Sequence, residues 1–125
     1  MRENEIGNMI VDAALKVHTA LGAGLLENAY EACLVYELEK RGLRTQKQLP
    51  VSLVYEGVKL DVGYRLDLLV ENLVVVEVKA VEKLLPIHTA QILSYLKLAG
   101  CKLGYLLNFN VVHMREGVKR VANGL

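Results

Sequence analysis

The strongest constraint on how this chain can fold is a change of period. From residue 43 to residue 80 apolar side chains recur at every second position, in "LRTQKQLPVSLVY", "VKLDVG", "YRLDLLV" and "LVVVEVKA". Alternation of this kind describes strands that turn one face to a core. Before and after that stretch the spacing lengthens to three and four. Residues 4–20 align Ile6, Ile10, Ala13, Ala14 and Val17 on one side of a helix, Leu21 continues the stripe, and "GAG" at 22–24 ends it. A second helix is expected over Leu25–Arg41, with Leu26, Ala29, Ala32, Cys33, Tyr36 and Leu38 mostly inward and Gly42 as its C-terminal glycine. Pro86 opens a third helix at the position where proline costs least, and Gly100 closes it after Ala99. Residues 103–109, "LGYLLNF", read as one more buried strand, and "REGVKRVANGL" as a short helical turn or a strand end. The order is two helices, a meander of four candidate strands with a turn at Glu56 and Gly57, a helix and a strand. That order implies an α/β protein with a mixed sheet flanked by helices.

A chain of 125 residues fits a single domain spanning 1–125, large enough to bury about two thirds of its unfolded surface without a covalent staple. Cys33 and Cys101 lie in apolar, helix-like settings that suit buried thiols in a reducing compartment, and they lack the paired spacing of a zinc site. The N-terminal segment carries charges before and within its apolar pattern, unlike a secretory leader, and no apolar run reaches the ~20 residues that span a bilayer. The expected address is the cytoplasm, with no membrane partner. Fifteen basic residues against 14 acidic give a net charge of +1, which does not by itself advertise a polyanion partner. The hydrophobic fraction of 53% is high for so small a domain and points to a homodimer that hides part of it.

One strand breaks the pattern. "VVVEVKA", residues 74–80, carries Glu77 and Lys79 on one face while Val76, Val78 and Ala80 occupy the other. The preceding strand has its own misplaced charge, Asp67. The loop between them decides whether the carboxylates meet. A two-residue loop at Glu71 and Asn72 pairs Asp67 with Val76 and separates them, whereas a three-residue loop pairs Asp67 with Glu77. The odd loop is expected, because the even one strands a carboxylate on an apolar face at a cost of several kcal/mol, and Asn72 can supply a left-handed residue. Asp67, Glu77 and Lys79 on one face could hold a hard divalent cation, Mg²⁺ or Mn²⁺, through the two carboxylates and the Val78 carbonyl, with Lys79 orienting or helping to deprotonate a water. The alternative is a structural ion pair between Glu77 and Lys79 on a solvated face.

Asp67 followed after nine residues by Glu77-Val78-Lys79 resembles the D-x(n)-E-x-K signature of the PD-(D/E)XK nuclease superfamily, although Leu66 stands where the superfamily label has proline. "GLLENAY" at 24–30, with Gly24, Glu27 and Tyr30, resembles the pattern that gives the GxxExxY family its name. "VHTALGAGLLENAYE", "HTAQILSYLKLAG" and "LLNFN" are similar to that family too, so the likeness covers about residues 17–110. It implies a restriction-endonuclease-like core and metal-dependent hydrolysis of nucleic-acid phosphodiester bonds. It also implies that Glu27 brings an extra carboxylate toward the metal, and that Gln91 and Tyr95 are polar residues of the helix after the E-x-K strand. Gln91, Tyr95 and His88 can share one stripe of that helix. Tyr30 and Tyr95 can equally be core aromatics with bonded hydroxyls, and His88 a helix-start residue. The absence of an added reading domain implies low sequence specificity. The competing expectation is a nuclease-fold binding or assembly module without useful hydrolytic rate.

Overall fold

The structure is a computed structural model and describes residues 2–125. Helices α1 (Arg2–Leu21) and α2 (Glu27–Lys40) precede strands β1 (Thr45–Tyr55), β2 (Val58–Val70) and β3 (Val74–Lys79). Helix α3 (Pro86–Ala99), strand β4 (Leu103–Asn108), a 3₁₀ turn at Met114–Gly117 and strand β5 (Val118–Ala122) follow. The five strands form one sheet in sequence order, antiparallel throughout except for the parallel pair β3 and β4. Parallel neighbours need a crossover, and α3 provides it. The architecture is the mixed sheet with flanking helices that the periodicity implies.

Two apolar clusters sandwich the sheet. Helices α1 and α2 cover one face, where Ile10, Ala14, Leu34 and Leu38 meet Leu68, Val74, Val76, Val78 and Tyr105. Helix α3 covers the other, where Ile92 and Leu96 meet Leu66, Leu69, Val75 and Leu106. The close seat of α3 depends on Gly104, since a Cβ there would lie 3.0 Å from Ile92 Cδ1 and 3.1 Å from Leu96 Cδ2.

Two expectations are corrected. "VKLDVG" and "YRLDLLV" are one strand, β2, so the meander has three strands. The break that reads as a boundary is a bulge, in which the register shifts between Val51 and Leu53 and Gly63 takes a φ of +77°. The inward face of α2 is also different. Leu26 is 76% exposed and Tyr36 63% exposed, while Tyr30, Leu34, Val35 and Leu38 are buried. This helix has apolar residues around its circumference, so its own pattern does not choose a face and packing on α1 and the sheet does. The C-terminal tail, left open between helix and strand, supplies both the 3₁₀ turn and β5.

Candidate active site

The hairpin between β2 and β3 pairs Val70 with Val74, Leu69 with Val75 and Leu68 with Val76. Its loop therefore has three residues. Both Glu71 and Asn72 are left-handed, with φ of +54° and +57°. The strain at Glu71 is offset by ties to Arg44, whose N–H donates to Glu71 Oε2 at 2.7 Å and whose carbonyl accepts from Glu71 N at 2.9 Å.

This register sets Asp67 opposite Glu77, and there the backbone ladder stops. Side chains take over. Asp67 N–H donates to Glu77 Oε2 at 2.9 Å, and Val78 N–H donates to Asp67 Oδ2 at 2.9 Å. Each carboxylate satisfies a donor that the ended ladder leaves without a carbonyl, which explains why an acidic residue is tolerated within the buried end of β2 and another within buried β3. Alternation from Val75 puts Glu77 on the α3 side of the sheet, with Lys79 two positions further along the same face, and the two hydrogen bonds hold Asp67 beside Glu77.

Burial dominates the electrostatics. Glu77 is only 6% exposed, and burial together with the Asp67 charge pushes its pKa up to about 8, against the opposing pull of the Asp67 N–H bond and Lys79. Asp67 is half-buried and is also raised, by burial first, with its Val78 hydrogen bond, Gln48 and Lys79 acting in the opposite sense. Two neighbouring carboxylates whose charged forms are disfavoured are poised to accept a cation.

The helices bring further groups to the edge of this pair. Glu27 begins α2 and accepts from Ala80 N–H at 3.2 Å, just beyond the end of β3. Tyr30 does not reach the carboxylates. It is fully buried, stacks on Phe109 with ring centroids 4.5 Å apart, donates to the Gly22 carbonyl at 2.6 Å and accepts from Leu25 N–H at 3.1 Å. Tyr30 thus clamps the bend in which Gly24 has a φ of +102°, and that bend aims Glu27 at β3. Gly24, Glu27 and Tyr30 act as one device. His88 spends its ring Nδ1 accepting from Leu85 N–H at 2.9 Å, which makes it a cap of α3. Gln91 is exposed on α3 and Tyr95 is half-buried; both line a groove beside that helix, and Tyr95 packs against the cluster containing Leu66 and Val75. Its phenol pKa is raised by burial and next by the charge of Glu77.

Three contributors escape sequence reasoning. Gln48 has a φ of +50° within β1 and is skipped in the pairing of Lys47 with Leu68 and Leu49 with Leu66. Its amide donates to both oxygens of Glu31, at 3.1 and 3.3 Å, and lies 3.5 Å from Asp67 Oδ1. Glu31, which reads as one more surface charge of α2, is thereby linked to the site, and its pKa is raised by burial and by Asp67. Asn108 is 2% exposed and closes a ring of bonds with Val81, accepting from its N–H and donating to its carbonyl, both at 3.0 Å. That ring fixes the chain just after β3. The only sequence signals are a polar "QKQ" in a strand and an asparagine in an apolar one.

The donor set is two hard carboxylates, each with one oxygen not engaged by backbone N–H. Among the described residues no group of three or more His, Cys, Asp or Glu side chains converges as a ready-made metal cage. Such a set fits a cation that keeps much of its own water, as Mg²⁺ does, and does not fit an all-protein calcium or zinc cage.

No described helix is long and apolar enough to cross a membrane. Searches of curated proteins and of solved structures gave no match. The sequence profile of the PD-(D/E)XK nuclease superfamily matches residues 4–121, a span that contains both helical layers, the meander and the Asp67, Glu77 and Lys79 face. The sheet and helices form a restriction-endonuclease-like α/β fold, and the chain belongs to the PD-(D/E)XK nuclease superfamily.

Proposed function

We propose that this chain is a metal-dependent nuclease of the GxxExxY group that hydrolyses phosphodiester bonds of nucleic acid with low sequence specificity. The observation that carries the reading is the junction of Asp67 and Glu77, where two carboxylates replace ladder bonds and burial raises the pKa of each. Asp67, Glu77 and the Val78 carbonyl would hold Mg²⁺ or Mn²⁺, with Glu27 and Gln91 at the margins. The bound cation would supply a water of lowered pKa and neutralise charge on the phosphate. Glu77, with a pKa of about 8 in the free protein, keeps its proton at neutral pH and must release it to act as a ligand, so cation affinity rises with pH. Lys79 lies on the same face and already lowers the pKa of both carboxylates, so its charge reaches the place where a phosphate would sit. Gly24, Glu27 and Tyr30, working as a bend and its pointer, support the assignment to the GxxExxY group.

Further parts of the reading concern assembly and address. Val54, Tyr55 and Val58 are exposed at the tip of the β1–β2 hairpin and give a homodimer an apolar surface to bury; light scattering at tens of micromolar measures this directly. The unpaired thiols of Cys33 and Cys101 suit the cytoplasm.

The deciding experiment is calorimetric titration of Mn²⁺ into wild type and Asp67→Asn, alongside metal-dependent cleavage of single- and double-stranded DNA and RNA. Binding lost in the variant and cleavage present only with metal support the proposal. A second reading, a nuclease-fold binding or assembly module, is favoured by the lack, among the described residues, of a third converging ligand side chain. Wild type with neither metal binding nor cleavage would select it.

A further inference from the structure

Between α3 and the β1–β2 hairpin lies an open groove of about 460 Å³, and Tyr95 in its lining is within reach of the charges of Glu77 and Asp67. We infer that this groove receives an unstacked nucleobase, so that the substrate is single-stranded or locally unpaired nucleic acid whose adjoining phosphate reaches Asp67 and Glu77. The inference rests on the nuclease reading for the role of the carboxylates, but its own evidence is separate.

The groove is placed by α3. Ile87, Gln91, Ser94 and Leu98 recur at helical spacing along one stripe of that helix and line it. Ile87 is 59% exposed and presents aliphatic surface to the groove. Across from it the hairpin contributes Tyr64, which is 43% exposed. The Tyr64 and Tyr95 rings stand 6.0 Å apart at 52° to one another, a tilted pair that is not stacked face to face, and the exposed Tyr64 ring is the one that can offer a face to a third planar group. Tyr95 connects the groove to the chemistry, because it packs against the cluster that contains Leu66, the residue before Asp67, and Val75, which shares the face of Glu77.

The lining selects the chemistry of the occupant. It is mainly apolar and aromatic, which suits the faces of a base, and a volume of this size falls within the ~300–1,000 Å³ range of small-ligand sites. The Gln91 amide and the Ser94 hydroxyl reach it with no hydrogen bond to another described residue, and an amide can donate and accept on a base edge. Lys97 is the one charged residue of the lining and no acidic residue shares it, as a ligand attached to phosphate requires. A base inside a duplex is paired and stacked and could enter only after being flipped out, which costs a few kcal/mol. Single strands offer their bases freely, and aromatic platforms are the usual way to hold them.

The test measures binding without cleavage, in EDTA, by fluorescence anisotropy. The probes are a fluorescein-labelled oligothymidine of about ten nucleotides, an oligouridine of equal length, and a labelled hairpin duplex. Wild type is expected to bind a single strand at least tenfold more tightly than the duplex. Ser94→Trp, which fills the groove, and Tyr64→Ala, which removes a ring, should each erase that preference, while Tyr64→Phe should keep it. Thermal melting of each variant establishes that it is folded, and Tyr64, on an exposed hairpin, serves if the Ser94 variant is not. Equal affinity for single strand and duplex, or a preference that survives Tyr64→Ala, overturns the inference. A preference that depends on Tyr64 in a protein that never cleaves with Mg²⁺ or Mn²⁺ upholds the groove and refutes the nuclease reading instead.

Discussion

Replacing Glu77 with glutamine should make the metal-free protein more stable in alkali while changing little in acid. The folded protein holds the Glu77 proton up to about pH 8, whereas the unfolded chain releases it near the ordinary 4.5. Between those values the native state binds more protons than the unfolded state, so stability falls as pH rises. This is the reverse of the usual carboxylate case. The contribution is complete below pH 4.5 and lost above about pH 8. At ~1.36 kcal/mol per pH unit, the whole window is worth about 5 kcal/mol, as an order of magnitude. Glu77 is buried, so solvent screens little of this difference. Glutamine has no proton to lose, and its amide oxygen can still accept from Asp67 N–H as Glu77 Oε2 does.

The assay is urea unfolding followed by far-UV circular dichroism from pH 5 to pH 9 in EDTA. With m of ~1–3 kcal/mol/M, a difference of about 5 kcal/mol separates the two midpoints by roughly 2 M or more at pH 9. The midpoints should approach each other near pH 5. Glu77 titrates against an Asp67 that is already charged, so Asp67 loses its own proton while Glu77 is still neutral, as it does in Glu77→Gln, and that earlier titration recurs in both proteins. Parallel pH profiles for wild type and Glu77→Gln would show that the Glu77 carboxyl is not buried against its charge, and the argument for a poised cation site would go with it.

Other outcomes follow from the same geometry. Mg²⁺ or Mn²⁺ should raise the melting temperature of wild type and leave that of Asp67→Asn nearly unchanged, as scanning calorimetry would record. Lys79→Ala should lower cleavage by about a hundredfold or more and, because Lys79 holds the Glu77 pKa down, shift the metal-binding pH profile to higher pH. Tyr30→Phe should cost about 1–3 kcal/mol in urea unfolding through loss of the Gly22 and Leu25 bonds, without loss of metal binding. Asn108→Ala, which leaves the Val81 N–H and carbonyl without partners, should cost at least as much by the same measurement.

What the sequence could show was limited by where the information lies. Helix and strand identity follow from periodicity, and the pairing of Asp67 with Glu77 follows from parity, because an even loop would have buried a lone carboxylate on the face of Val76 and Val78. A one-residue difference in a loop flips a whole strand, so a single misplaced charge is informative. The face of α2 was illegible for the opposite reason: its apolar residues surround the helix, and Leu26 and Tyr36 lost the competition for burial to Leu34 and Val35. Gln48 was hidden because its part is a backbone one. Leu49 and Leu66 pack under α3, whereas Leu68 packs under α1 and α2, so alternation along the two strands slips at the pair Gln48 and Asp67. A left-handed glutamine is what lets the strand slip, and side-chain pattern alone does not reveal φ.

That slip explains why the charges sit where they do and constrains how they can be tested. Ending a ladder inside a sheet leaves backbone N–H groups without carbonyls, a cost of about 1–3 kcal/mol each when buried. Here Asp67 and Glu77 supply the missing acceptors, and by doing so they are held in fixed positions with one oxygen each turned away from the backbone. The same two bonds therefore serve the fold and set the geometry that a cation would use. Truncation of either residue to alanine removes its bond together with its charge, and a loss of activity in Asp67→Ala or Glu77→Ala could come from an orphaned Val78 or Asp67 N–H, respectively. The amide isosteres keep an acceptor for each N–H and remove only the charge, so Asp67→Asn and Glu77→Gln are the substitutions that separate the chemistry of this site from the stability of the sheet around it.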